Sequence, residues 1–103
     1  VALAGAIVAQ AAPPGGASPT WRAWTDHGQQ LLDGEDPLGA REAYRRALAL
    51  AGDVAEPRIG LGRAHLMLGQ SQFAVAYGEA AIALEPANQD GMALVVRALI
   101  RAR

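Results

Sequence analysis

The chain repeats itself with a shift of 34 residues. Laid over one another at that spacing, "RALALAGDVAE" (Arg46 to Glu56) and "AAIALEPANQD" (Ala80 to Asp90) place Ala47 on Ala81, Leu48 on Ile82, Ala49 on Ala83 and Leu50 on Leu84. The same shift carries Gly28 to Gly62, Leu32 to Leu66 and Ala40 to Ala74. A third pass keeps an apolar residue, Leu61 falling on Val95, but not the glycine, whose place is taken by Val96. A period of this length is one supersecondary unit of helix, turn and helix. Such a unit cannot bury its apolar face alone and is completed by stacking on its neighbours. The repeat therefore excludes a sheet-based fold and predicts an all-α array.

Caps and stops divide the array into five helices. The first is predicted from about Pro19 to Asp33, with Ser18 as cap and Gly34 beyond its end. Asp36 caps the second, which opens on Pro37 and stops at Gly52. The third uses Asp53 with Glu56 three residues on, a variant of the capping box, and ends at Gly69. The fourth runs from Ser71 to before Pro86, and the fifth from Asn88 to the chain end. Short connections make successive helices antiparallel. A glycine inside a helix costs about 1 kcal/mol relative to alanine. The recurrence of Gly28 and Gly62 thus predicts that the second helix of each pair approaches the first closely, with Ala40, Ala47, Ala74 and Ala81 opposite and Tyr44 and Tyr77 filling the remaining space. The turn glycine does not recur in register, since Gly34 follows Gly28 by six residues and Gly69 follows Gly62 by seven.

These residues resemble the tetratricopeptide repeat family, whose helix pairs carry a W-x2-L-G-x2-Y, A, F, A, P pattern. Trp24, Gly28 and Leu31 match its first cluster, with His27 in place of the leucine; Leu61 and Gly62 match in the next unit, where Arg58 replaces the tryptophan and His65 the tyrosine. Ala40, Tyr44 and Ala47 match the second half of one repeat, and Ala74, Ala81 and Pro86 that of the other, where Gly78 replaces the aromatic. The resemblance covers Trp21 to Arg103, two repeats and the first helix of a third. It implies a right-handed α-solenoid whose concave groove takes a protein or peptide segment.

The family's groove-facing positions fall on Arg22, Thr25, Gln29, Leu32 and Asp33 in the first helix. In the third they fall on Glu56, Ile59, Arg63, Leu66 and Met67, and in the fifth on Asp90, Ala93, Arg97, Ile100 and Arg101. Chaperone-binding members clamp a terminal carboxylate with lysine and asparagine; Thr25 and Gln29 stand at the corresponding sites here, so that clamp is not present in its usual form. Ile59, Leu66 and Met67 read as an apolar floor flanked by Arg63, Arg97 and Arg101. Such a floor either meets a partner or is covered by further repeats or by the N-terminal segment.

Little else in the chain points to chemistry. A net charge of −1 with 18% charged residues gives no field to attract nucleic acid. Cysteine is absent, which removes thiolate chemistry and cysteine-ligated zinc. His27 and His65 lie on different helices with no Glu-x-x-His partner and read as packed residues, not metal ligands. The G-x-G of "GLGRAH" lies inside a helix, follows no strand and lacks a third glycine, and "DGEDP" reads as solvated turn acids. Neither catalysis nor a cofactor or metal is expected.

The N-terminal residues differ from the rest. "VALAGAIVAQA", Val1 to Ala11, is small and apolar and ends in a small-x-small pattern, like a signal peptide or part of a membrane anchor; residues 12–19 read as a Pro/Gly linker ahead of a repeat domain over residues 20–103. An ordinary alanine-rich helix packed on the domain is the alternative. Helix five carries Met92, Leu94, Val95, Val96, Leu99 and Ile100 around more than one face, whereas a terminal repeat helix turns a polar side outward. The sequence therefore predicts a non-catalytic scaffold or adaptor, a subunit of an exported, periplasmic or membrane-associated complex, with a cytoplasmic location as the alternative. Its competitor is an accessory module of a larger enzyme or outer-membrane export channel.

Overall fold

The computed structural model describes residues 20–102, and these are all-α: α1 (Trp21–Asp33), α2 (Pro37–Leu50), α3 (Glu56–Met67), α4 (Ser71–Leu84) and α5 (Gln89–Arg101). The apolar segment Val1 to Ala11 and the linker lie outside the described residues; the expected start of the first helix at Pro19 with Ser18 as cap is corrected, since the helix begins at Trp21 with Thr20 as its N-cap. Each helix packs on the next in sequence. In addition α1 touches α3 and α3 touches α5, while the α2 and α4 backbones do not pack directly on each other.

Helix starts follow local chemistry. Thr20 caps α1 by accepting from the Ala23 N–H at 3.1 Å, and Asp36 caps α2 by accepting from Gly39 at 3.0 Å. The Asn88 side chain accepts from Asp90 N at 2.9 Å and Gly91 N at 3.3 Å, opening α5. The expected Asp53 cap of α3 is not formed. The N-cap is Ala55, with no side-chain hydrogen bond, because the turn extends two residues further and Pro57 removes one of the donors a cap would satisfy.

Helix ends show that the backbone keeps the 34-residue register where the glycines do not. After α3, Gly69 adopts φ 79°, its N–H bonding to Leu66 O at 3.0 Å and that of Gln70 to His65 O at 2.8 Å. This is the Schellman arrangement. After α1 the same pair of bonds is made by Glu35 N to Leu32 O (3.0 Å) and Asp36 N to Leu31 O (2.8 Å), with Glu35 at φ 61°. Gly34 has an ordinary φ of −85°. The left-handed position of the first turn is thus held by glutamate, and the turn has not slid.

Packing between pairs centres on Tyr44, which is 1% exposed. Its ring lies between α1 and α3. A Cβ on Gly28 would come 2.8 Å from ring atoms, and one on Gly60 would overlap them. The close approach predicted at Gly28 is therefore that of a side chain from α2. At Gly62 the space is shared: the Ala74 carbonyl of α4 faces it at 3.4 Å, but the nearest atoms belong to Leu94 of α5. Ala55, Ile59, Leu66, Ala74, Ala81, Leu94 and Ala98 form the core on that side; Leu32, Ala40, Tyr44, Leu61 and Ala64 form a second cluster, and Trp24, Ala43 and Ala47 a third. His65 is buried against the rings of Phe73 and Tyr77, at centroid distances of 5.2 and 5.4 Å. Its Nδ1 lies 2.6 Å from Gln70 Oε1, which accepts, so Nδ1 carries the proton.

Candidate functional site

Helices α1, α3 and α5 share one side of the molecule, and two hollows lie along it. The first, of about 180 Å³, is lined by Thr25, Asp26 and Gln29 of α1, Tyr44 of α2, Glu56, Ile59, Gly60 and Arg63 of α3, and Asn88 and Asp90 at the start of α5. The second, of about 300 Å³, is lined by Gln29, Leu32, Arg63, Leu66, Met67, Arg97 and Arg101. Early residues of the three helices gather at one hollow and late residues at the other, so the helices run in the same direction. Gln29 and Arg63 line both hollows, which makes them one groove. From Glu56 to Met67 it extends about 16 Å along α3.

Of the positions read from the sequence, Thr25, Gln29, Leu32, Glu56, Ile59, Arg63, Leu66, Met67, Asp90, Arg97 and Arg101 line this groove. Arg22, Asp33, Ala93 and Ile100 line neither hollow; the Arg22 guanidinium sits 4.6 Å from the centre of the Trp21 ring, and Ile100 is exposed. The three apolar floor positions are unequal. Ile59 and Leu66 are 4% and 5% exposed and belong to the core, whereas Met67 is 45% exposed. Two polar groups of α1 are already engaged. The Thr25 hydroxyl donates to Trp21 O at 2.7 Å, and Gln29 Nε2 donates to Asp33 Oδ1 at 2.9 Å.

Asp26, Tyr44, Gly60 and Asn88 line the groove without having been singled out for it. Asp26 is one residue removed from an expected position. Tyr44 comes from the second helix of its pair and reaches the groove only because Gly28 and Gly60 leave room for a ring between α1 and α3. The glycine at position 60, two residues before the one that recurs, was the available signal. Burial raises the Tyr44 hydroxyl from its ordinary value to about 12; Arg63 opposes the shift, and Asp33 and Asp26 add to it. The phenol is thus protonated at neutral pH, and it makes no hydrogen bond among the described residues.

The arrangement is suited to binding. Its exposed groups are carboxylates, guanidinium groups, the Gln29 carboxamide and one thioether. Among the described residues no three His, Cys, Asp or Glu side chains converge as a metal site, and no helix is long and apolar enough to cross a membrane. On the far side of α5, Met92, Val96, Leu99 and Ile100 are exposed. No protein-family model matches this chain, and no curated protein matches it.

Proposed function

We propose that the chain is a tetratricopeptide-like module, a right-handed α-solenoid that acts as a non-catalytic scaffold by holding a segment of a partner protein along α1, α3 and α5. The observation that carries this reading is the contact pattern: first helices touch first helices along one side, second helices do not pack backbone to backbone, and the shared side is a groove. Stacking of that kind supports a concave surface lined by α1, α3 and α5. Affinity comes from Met67 and the apolar residues beneath it, and the arginines set orientation and on-rate, because exposed charge pairs are individually weak.

Selection of random displayed peptides on the full chain tests the proposal. Binders should shift the amide resonances of α1, α3 and α5. Met67→Glu should weaken them by about 2 kcal/mol, the scale of a hot-spot loss, and leave the helical dichroism unchanged because the side chain is half exposed. Absence of binders, or binders that map to α2 and α4, refutes it.

The exposed apolar side of α5 favours a second reading in which the domain is one part of a larger assembly, as an accessory module of an enzyme or export channel or as a subunit of an envelope complex. Export or membrane tethering rests on the composition of residues 1–19 alone. Comparing the cellular location of the full chain with one beginning at Ala17 tests that part.

A further inference from the structure

We infer that the groove reads charge order along its length: it takes an extended segment that sets cationic side chains on Asp26, Glu56 and Asp90 and, one groove-length away, carboxylates and an apolar side chain on Arg97, Arg101 and Met67. The inference rests on the reading of this groove as a protein-binding surface and specifies what that surface selects.

The two hollows are opposite in charge. The first presents three exposed carboxylates against the single guanidinium of Arg63; the second shares Arg63, adds Arg97 and Arg101, and is lined by no acid. Part of this has an ordinary cause, since Glu56 and Asp90 lie in first turns and Arg101 in a last turn, where they complement helix dipoles. Asp26 and Arg97 lie in the middle of their helices, where the dipole effect has faded, and they extend the same polarity. Asp26, Glu56, Arg97 and Arg101 form no ion pair among the described residues; the one pair within the groove, Arg63 to Asp90, is long at 3.9 Å. These charges are free to meet a partner. Tyr44, whose hydroxyl has no hydrogen-bond partner among the described residues, also lines the acidic hollow, where a phenol can donate to a main-chain carbonyl. About five extended residues span the distance between the two ends.

The test uses the full chain and three capped eight-residue peptides. One has two lysines, a Ser-Gly-Ser spacer, then leucine and two glutamates. The second has the same composition with lysines and glutamates alternating, and the third replaces the lysines by serine. At low ionic strength the segregated peptide should bind at least tenfold more tightly than the alternating one, and the serine peptide should fall between them. A nitroxide on its lysine end should broaden the amides of Glu56 and Asp90, and one on its glutamate end those of Met67 and Arg101. The exposed double substitution Arg97→Glu with Arg101→Glu should lower its affinity tenfold or more without altering the dichroism. Equal affinities for the first two peptides, or broadening indifferent to the labelled end, overturn the inference and leave the groove as a binding surface. Binding by none of the three also overturns it, and the display selection then decides separately whether the surface binds protein at all.

Discussion

Replacement of Gly60 by alanine sets two effects of known size against each other at one atom. Alanine is favoured over glycine in a helix by about 1 kcal/mol, and α3 is helical at this position. The added methyl, however, falls on the ring of Tyr44. The ring can retreat only into the small space left by the missing Gly28 Cβ, a position already 2.8 Å from ring atoms, before it meets the α1 backbone. An aromatic ring has no slack to absorb the overlap, so the overpacking penalty belongs in the upper part of its range of about 1–3 kcal/mol. The net expectation is a destabilisation of about 1–2 kcal/mol, read from urea titration by far-ultraviolet dichroism. A double-mutant cycle isolates the cause. In a Tyr44→Leu background the ring is gone and the same substitution should turn neutral or stabilising, giving a coupling of about 2 kcal/mol between two residues that are distant in sequence. If Gly60→Ala stabilises the unmodified chain as much as the Tyr44→Leu chain, the ring does not fill that space and the packing argument is wrong.

Glu35→Gly should stabilise the domain by about 1 kcal/mol, because glutamate holds a left-handed backbone conformation that costs an L-residue about that much; thermal melting is the measurement. Asn88→Ala should cost about 1 kcal/mol through loss of the α5 cap, with amide exchange accelerated first at Asp90 and Gly91. Burial raises the Tyr44 hydroxyl to about 12 in the folded chain, against about 10 when unfolded. The folded state therefore favours the protonated phenol. Its contribution is complete below about pH 10 and is lost as pH rises toward about 12. Tyr44→Phe should flatten alkaline denaturation in that window and little elsewhere.

Element order and most boundaries were legible because they depend on local signals: Asp36 before Pro37, Asn88 after Pro86, and the alanines and leucines at a fixed period. The α3 start was misread because Asp53 and Glu56 mimic a capping box, while the backbone enters the helix only after a turn through Val54 and Ala55. Gly34 drew the eye as a stop, but the conformation that glycine usually supplies sits one residue later on Glu35. No composition rule finds a left-handed glutamate. At the groove, the resemblance to a repeat family pointed to Arg63, Arg97, Arg101 and Met67, yet a position carried over in that way does not separate a lining residue from a core residue one turn away. Ile59 and Leu66 line the groove and are also core because α4 and α5 close over them, which is a property of three-dimensional contact.

The contact pattern also has a mechanical consequence. Among the described residues α3 touches each of the other four helices and α1 does not meet α5, so strain passing between α1 and α5 is transmitted through α3. On the opposite side the α2 and α4 backbones do not pack directly on each other, so bending there separates no backbone contact between them. Bending of the described helices about α3 is therefore resisted only by the contacts that α3 itself makes. Such bending alters the spacing between Asp26 and Asp90 at one end, and between Gln29 and Arg97 at the other, while leaving the individual helices intact.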